Sequence, residues 1–249
     1  MTQFAETLKL WRKARRYSQL DLAIEAEVSS RHLSFLETGR ANPSREMIGK
    51  LGDALSLPLA ARNQMLAEAG FAARYPQRNW EAEEMAPVRA AVTHLLNQHQ
   101  PYPAIAIDRH WNIMQMNGAA TQLFGLMGAG VGSSMIDTLL DPNVQANIEN
   151  WPQVAHHALH RLRTESTSRG GDPALKDAID TLAQIPAPQE PSLMPVVPTV
   201  FRQGDLRLSL FTTIAQFGTP EDLALDDLKI ELFFPSDDPT DAILKAMGQ

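Results

Sequence analysis

The feature that most constrains the fold is residues 19–37, QLDLAIEAEVSSRHLSFLE, where two short amphipathic segments meet at a tight turn. Leu33 and Leu36 are three residues apart, so both lie on one face of the second segment if it is helical. Ser29 or Ser30 offers a side-chain oxygen that caps this second helix. The spacing predicts a helix-turn-helix, whose second helix is of the kind that enters a DNA major groove.

Three further helices are predicted around this motif. One covers about residues 2–16 and precedes it, Ser44 caps a fourth helix that stops before Pro58, and Gly70 ends a fifth. Five short helices with short loops predict a complete all-α domain over residues 1–75.

The rest of the chain has a different pattern. A connector and linking helix are predicted over residues 76–100, followed by an α+β domain over residues 101–249. Alternating apolar residues predict β-hairpins at 104–117 and around a turn at 203–205. Helices lie between them, and a proline-rich loop is expected at 186–198. Strands followed by a short helix and helical connectors are typical of a PAS-like, half-open sheet that encloses a small molecule.

Charge is unevenly distributed along the chain. The net charge is −7, yet residues 1–75 carry eleven Lys and Arg against eight Asp and Glu, which gives +3 there and −10 in the remainder. The basic residues concentrate between Lys9 and Arg16, at the end of the first helix. This asymmetry places any phosphate-facing surface on the N-terminal domain.

Composition excludes several classes of protein. The chain has no cysteine, so disulfides, thiol nucleophiles and thiolate metal sites are excluded. No run of eighteen apolar residues and no signal-peptide core occurs, so we expect a cytoplasmic protein without a membrane partner. No serine elbow, phosphate loop or dinucleotide fingerprint occurs, so we expect no enzyme and no cofactor.

Three histidines lie close together on a predicted long helix. His156 and His160 are four residues apart and share a face, with His157 beside them. Two imidazoles and a carboxylate would suit zinc, but no matching carboxylate motif is present. Arg161 and Arg163 follow directly, which favours a solvated or dimer-facing surface, and we expect no metal site.

The N-terminal motif resembles the helix-turn-helix of the phage-repressor-like (XRE) family of bacterial regulators, over roughly the first 70 residues. Residues 37–40, Glu-Thr-Gly-Arg, close the recognition helix as in that family. Glu27 stands where the family often has glycine, and a left-handed residue other than glycine costs about 1 kcal/mol. The resemblance implies base-edge contacts by Ser29, Ser30, Arg31 and Ser34, and phosphate contacts by Gln19, Arg40 and Asn42. Arg31 is the expected principal base reader, because its guanidinium fork matches guanine O6 and N7.

From Tyr102 onward the chain resembles the ligand-binding domain of MmyB-like transcription regulators. That family has a PAS-like fold, is paired with this type of helix-turn-helix, and is associated with small, largely apolar, fatty-acid-like molecules. Its members often have tryptophan where this chain has Met116. The motifs that carry the resemblance are Met116-Asn117-Gly118-Ala119-Ala120, Leu140-Asp141-Pro142, Asn150-Trp151, Phe217-Gly218-Thr219-Pro220 and Ile230-Glu231-Leu232-Phe233-Phe234-Pro235.

Bulky apolar residues of the predicted sheet and its short helix suggest a cavity, since Met and Phe side chains adapt to small ligands. A polar head group of the ligand would be oriented by Asn117, Arg109, His110 or Arg202. The predicted ligand contacts are Trp111, Met114, Met116, Asn117, Phe124, Met127, Phe201, Phe211 and Phe217.

Together these patterns predict a DNA-binding transcription regulator whose C-terminal PAS-like domain binds a small apolar ligand that modulates operator binding. We expect a homodimer, because one recognition helix makes too few base contacts for useful specificity. The alternative is a constitutive DNA-binding regulator whose C-terminal domain is a protein-interaction or dimerisation module without a ligand.

Overall fold

A computed structural model describes residues 2–188 and 195–247, so part of the predicted loop at 186–198 lies outside the described residues. The chain divides into two compact units. The first unit comprises Met1–Gln77, Ser166–Asp172 and Pro220–Asp226, and the second comprises Arg78–Glu165, Pro173–Thr219 and Asp227–Gln249.

The first unit contains the five predicted N-terminal helices. Four of them begin at a side-chain cap, where the hydroxyl of Thr2, Ser18, Ser29 or Ser44 accepts a hydrogen bond from a backbone N–H in the first turn. Their apolar faces converge on one core that contains the fully buried Leu33. The helices are α1 (Gln3–Ala14), α2 (Gln19–Glu25), α3 (Ser30–Thr38), α4 (Arg45–Ala54) and α5 (Leu59–Glu68).

Three of these helices are followed by a left-handed residue other than glycine. Arg16 follows α1 with φ of 60°, Glu27 follows α2 with φ of 54°, and Ser56 follows α4 with φ of 48°. The prediction for Glu27 is therefore confirmed. Each such residue costs about 1 kcal/mol relative to glycine, so the packing of the helices on their common core holds these turns in place.

The second unit is an antiparallel sheet with helices. Both predicted hairpins are present, and Asn117 caps the helix that follows the first. The elements are α6 (Ala86–Gln98), β1 (Ala104–Ile107), β2 (Ile113–Met116), α7 (Gly118–Gly125), α8 (Met135–Leu140), α9 (Pro142–Ala146), α10 (Trp151–Ser168), α11 (Lys176–Leu182), β3 (Thr199–Gln203), β4 (Leu206–Gln216), α12 (Leu223–Asp226, in the first unit), β5 (Lys229–Pro235) and α13 (Asp238–Met247).

The strand order in the sheet is β2-β1-β5-β4-β3, with every neighbouring pair antiparallel. Side chains of β1, α7, α10 and α11 form one buried cluster that includes Ile105, Phe124 and Leu162. Helix α6 packs against β1 and β2. A half-open antiparallel sheet with helices on it is the PAS-like class, so the predicted fold, an all-α helix-turn-helix domain followed by a PAS-like α+β domain, is confirmed.

Candidate DNA-binding surface and ligand cavity

Helix α3 presents its first turn to solvent. Ser29 is the N-cap, and its hydroxyl accepts a hydrogen bond of 3.1 Å from the His32 backbone N–H. Ser30 and Arg31 follow it and are exposed. The Arg31 guanidinium carbon lies 5.4 Å from the Phe35 ring centroid, one helical turn further on. This contact holds the Arg31 stem along the helix and leaves its donors available to a ligand.

The other predicted DNA contacts lie at and beyond the end of this helix. Ser34 is half-buried within α3. Gly39 ends the helix with φ of 71°, and Arg40 and Asn42 are exposed in the connection to α4. Arg40 and Asn42 are therefore exposed directly after the C-terminal end of the recognition helix.

Gln19 is tied to a buried carboxylate. Its side-chain amide donates a hydrogen bond of 2.7 Å to Glu37 Oε2, and Glu37 is only 2% exposed. Arg12 binds the same carboxylate through Nε at 2.5 Å and Nη2 at 3.0 Å. The Gln19 side-chain amide therefore joins α2 to α3. Because that amide is already hydrogen-bonded to Glu37, the backbone N–H of Gln19 is the group that would contact a DNA phosphate.

Arg12 belongs to the basic cluster that the sequence shows at the end of the first helix, but the structure gives it a buried partner, Glu37. Glu37 is four residues after Leu33 and so lies on the inner face of α3. A buried acid at such a position needs a cation close by. The four-residue spacing between Leu33 and Glu37 could therefore have indicated a buried ion pair from the sequence. Arg15 is also engaged, because its Nε donates to the Leu55 carbonyl at 3.1 Å.

The environment of Glu37 favours its charged form. Burial of the carboxyl acts to raise its pKa, but hydrogen bonds from Arg12 and Gln19 and the charges of Arg12 and Lys9 outweigh this effect. The pKa of Glu37 is therefore held below its usual range. The charged Glu37 carboxylate therefore connects α3 to Arg12 of α1 and Gln19 of α2.

In the second unit, an apolar cavity of about 160 Å³ lies between α7, α8 and α9 and the strands β3, β4 and β5. Of the predicted contacts, Phe124, Met127, Phe201 and Phe211 line it. No Asp, Glu, Lys or Arg is among its described lining residues. Also lining the cavity, and missed in the sequence, are Leu123, Met135, Thr138, Leu139, Val144, Ile148, Val197, Thr199, Leu210, Thr212 and Phe233.

The other predicted contacts lie elsewhere, and those on or beside β2 do so because β2 is at the opposite edge of the sheet from β3. Met114 and Met116 are on β2. Trp111 precedes it, and its indole N–H donates to Glu165 Oε2 at 2.9 Å while the Arg161 guanidinium lies 4.1 Å from its ring centroid. Phe217 lines a separate concavity beside α6. Strand order is set by long-range pairing, which the residue pattern of each strand does not encode.

Asn117 is 2% exposed, and its side chain is fully engaged by backbone. Its Oδ1 accepts from the N–H groups of Ala104 at 3.1 Å and Ala120 at 2.9 Å. Its Nδ2 donates to the carbonyls of Leu96 and Tyr102, both at 2.9 Å. Asn117 thus fastens α7 to β1 and α6, and its hydrogen-bonding capacity is used by the fold.

The remaining candidates for a polar contact also have protein partners. Arg202 forms an ion pair with Glu149. Arg109 Nε lies 3.0 Å from His110 Nε2. None of these side chains lines the cavity, whose polar groups are the three threonines Thr138, Thr199 and Thr212.

The described part of the chain contains neither a metal-binding cluster nor a membrane-spanning helix. No group of three or more His, Asp or Glu side chains there is arranged to hold a metal ion. No helix in residues 2–188 and 195–247 combines the length and the apolar character needed to cross a bilayer.

Comparison with known proteins gives two family matches. Residues 3–65 match a helix-turn-helix domain, and residues 88–247 match the MmyB-like transcription regulator ligand binding domain. Both are domains of transcription regulators. A search of curated proteins gave no significant match.

Solved structures resemble the chain only weakly. One is the PAS domain of BvgS from Bordetella pertussis, with 13% identity and a TM-score of 0.32, covering 64% of this chain and 94% of that one. Another is an RNA-binding light-oxygen-voltage receptor, with 12% identity and a TM-score of 0.26, covering 100% of this chain and 62% of that one. Likenesses of this strength carry no functional argument.

The ligand-binding-domain match spans residues 88–247, which is more than half of the 249 residues, and a helix-turn-helix match precedes it. The chain therefore belongs to the family of transcription regulators with an MmyB-like ligand-binding domain.

Proposed function

We propose that this regulator binds a small, largely apolar ligand in the cavity of its second unit, and that the ligand modulates operator binding. The apolar cavity between α7–α9 and β3–β5 carries this proposal. Its described lining contains Phe, Met, Leu, Val and Ile side chains, three threonines and no charged residue. Burial of hydrocarbon is favourable by about 25 cal/mol per Å², so such a lining selects apolar molecules. A fatty-acid-like ligand has the required hydrocarbon.

The DNA side of the proposal rests on α3. Ser30 and Arg31 are exposed at its first turn, which supports contacts to base edges by these two residues. Arg40 and Asn42 are exposed beyond its end, which supports contacts to phosphates. We propose a homodimer, in which two such helices meet successive half-sites of an operator. A protein that acts on chromosomal DNA in a bacterium works in the cytoplasm.

Arg31 and Arg40 should differ in what their loss does to DNA binding. Arg31→Ala should weaken binding to the preferred sequence by about tenfold or more while leaving random DNA little affected, because a bidentate base contact contributes roughly 1–3 kcal/mol of discrimination. Arg40→Ala should weaken binding to both alike and reduce the salt dependence, since a phosphate contact carries no sequence information. Fluorescence anisotropy with DNA selected from a random pool measures both effects.

Lys50→Ala supplies the matched control, because Lys50 is an exposed cation on α4 of the same unit and pairs with Glu46 at 3.7 Å. It should leave sequence preference unchanged. If Arg31→Ala and Arg40→Ala reduced binding to selected and random DNA by the same factors, the division of roles between them would be wrong.

Native mass spectrometry of freshly purified protein, before and after organic extraction, tests the ligand. A co-purifying small mass that extraction removes, together with a dimer mass, is the expected result. A clean dimer that shows no thermal shift with a series of fatty acids and alcohols would favour the constitutive regulator whose second unit serves only dimerisation or a protein partner.

A further inference from the structure

We propose that Phe35 of α3 is a second sequence-reading residue, whose phenyl ring contacts the C5-methyl group of a thymine beside the guanine that Arg31 binds. This inference rests on the proposed function and adds a chemical feature of the operator, a thymine methyl group in the major groove. Phe35 is half-buried and lies in the second turn of α3, one turn after Arg31.

Phe35 lies on the outer face of α3. It is two residues from Leu33 and two residues from Glu37, whose side chains are buried, with exposed fractions of 0% and 2%. Two residues correspond to a rotation of about 200° around an α-helix, so the Phe35 side chain points away from the inner face. Arg31 is four residues before Phe35 and therefore shares its side of the helix.

The Phe35 ring lies outside the hydrophobic core of the first unit. Among the residues that the structure describes, the half-buried apolar side chains packed against this core include Phe71 but not Phe35. Phe71 gives a direct comparison, because the Arg45 guanidinium carbon lies 5.4 Å from its ring centroid, the same distance as in the Arg31–Phe35 pair. The Phe71 ring serves the core, whereas the Phe35 ring has an outward position, and a large apolar side chain there is informative about binding.

The other side chains of this outer face are small and uncharged. They form the row next to Arg31 and Phe35, at a spacing of four residues: Ser30, Ser34 and Thr38. The Arg31 guanidinium and the Phe35 ring therefore extend furthest from the helix axis on this face. The carboxylate of α3, that of Glu37, is buried on the opposite side, so α3 places no negative charge where it would repel DNA phosphates.

A thymine next to a guanine fits this pair of side chains. The major groove presents the thymine C5-methyl group, with which phenylalanine makes apolar contact, and it presents guanine O6 and N7, which the arginine fork binds. The Arg31 guanidinium carbon lies 5.4 Å from the Phe35 ring centroid, and successive base pairs are about 3.4 Å apart. The two groups are therefore separated by fewer than two base-pair steps, which places the thymine in the base pair next to the guanine.

Replacing thymine with deoxyuridine tests the inference, because it removes the methyl group and keeps the hydrogen-bonding edge of the base. Selection from a random pool, with the wild type and with Arg31→Ala, identifies the guanine that Arg31 reads as the position where the preference for guanine is lost. We expect a thymine next to that guanine. Uracil at this position should weaken binding of the full-length protein about fourfold, the factor that corresponds to burial of one CH₂ group, measured by fluorescence anisotropy.

The variant Phe35→Ala should bind the thymine and uracil sites equally, while its affinity for random DNA stays close to that of the wild type. Uracil in place of a thymine outside the contacted base pairs is the matched control, and it should change binding of neither protein. The comparison of thymine and uracil with the wild type needs no variant, so the test holds even where Phe35→Ala lowers stability.

Equal binding of the thymine and uracil sites by the wild type, together with a guanine preference that depends on Arg31, would overturn the thymine contact and leave Phe35 only as a support for Arg31. A selection that yields no preferred sequence would overturn the DNA side of the proposed function, and with it this inference.

Discussion

Replacing Glu37 with alanine is expected to destabilise the helix-turn-helix by about 3–5 kcal/mol. The carboxylate is 2% exposed and is bound by both Nε and Nη2 of Arg12 and by the Gln19 amide. Removing it leaves the Arg12 guanidinium without its counter-ion in a largely buried site, which is the costly way to break a buried pair. Urea denaturation followed by circular dichroism measures the loss.

Glu46→Ala is the matched control for this experiment. Glu46 is also a helical glutamate of the first unit, but its side chain is 81% exposed and lies 3.7 Å from Lys50. An exposed pair of this kind contributes roughly 0.5 kcal/mol. Equal losses for the two variants would show that the Glu37 carboxylate is not a buried anchor.

The same group makes stability depend on pH. Because the pKa of Glu37 is lower in the folded chain than in the unfolded one, its contribution is complete above the ordinary glutamate value of about 4.3. The contribution is lost as the pH falls below that value and through the folded pKa. Glu37→Gln should therefore have a flatter stability profile than the wild type between pH 5 and pH 3, measured by urea denaturation at each pH.

Asn117→Ala is expected to destabilise the second unit by about 3 kcal/mol. The substitution removes the N-cap of α7, takes away the side-chain acceptor of the buried Ala104 and Ala120 N–H groups, and removes the side-chain hydrogen bonds to the Leu96 and Tyr102 carbonyls. Loss of a cap costs roughly 1 kcal/mol, and each buried group left unsatisfied costs roughly 1–3 kcal/mol more. Differential scanning calorimetry gives the change.

This variant also separates a structural role from the ligand contact that the sequence suggested for Asn117. Asn97→Ala, at an exposed asparagine of α6 in the same unit, should change stability by less than about 0.5 kcal/mol. A stable Asn117→Ala protein that bound decanoate more weakly would instead place Asn117 at the ligand.

Local features were predictable because they follow from short-range chemistry. The cap Ser44 was identified from neighbouring residues and the left-handed residue Glu27 from the resemblance to the helix-turn-helix family, and both are present. Hairpin positions followed from alternation and turn residues in the same way. The recognition helix was equally accessible, since Leu33 and Leu36 fix its inner face.

The ligand site was only partly predictable, since it depends on which strands become neighbours. Phe124 and Phe201 are distant in sequence yet line one cavity, while Met114 lies on the strand at the far edge of the sheet. Met135 and Leu139 of α8 also line the cavity. Their four-residue spacing indicates only a shared helical face and does not distinguish a ligand contact from a core residue. Long-range pairing decides these outcomes, and a single sequence carries little information about it.

The affinity of the full-length protein for DNA selected from a random pool, measured with and without saturating decanoate, tests most directly whether the cavity regulates DNA binding. A ligand that favours one of two conformations changes affinity at a second site by about fivefold or more. We predict that decanoate changes the DNA affinity by at least this factor. We also predict that the Leu139→Trp variant, in which a large side chain fills the cavity, shows no such change. Identical DNA affinities, with decanoate shown by calorimetry to be bound, would contradict the proposed regulation.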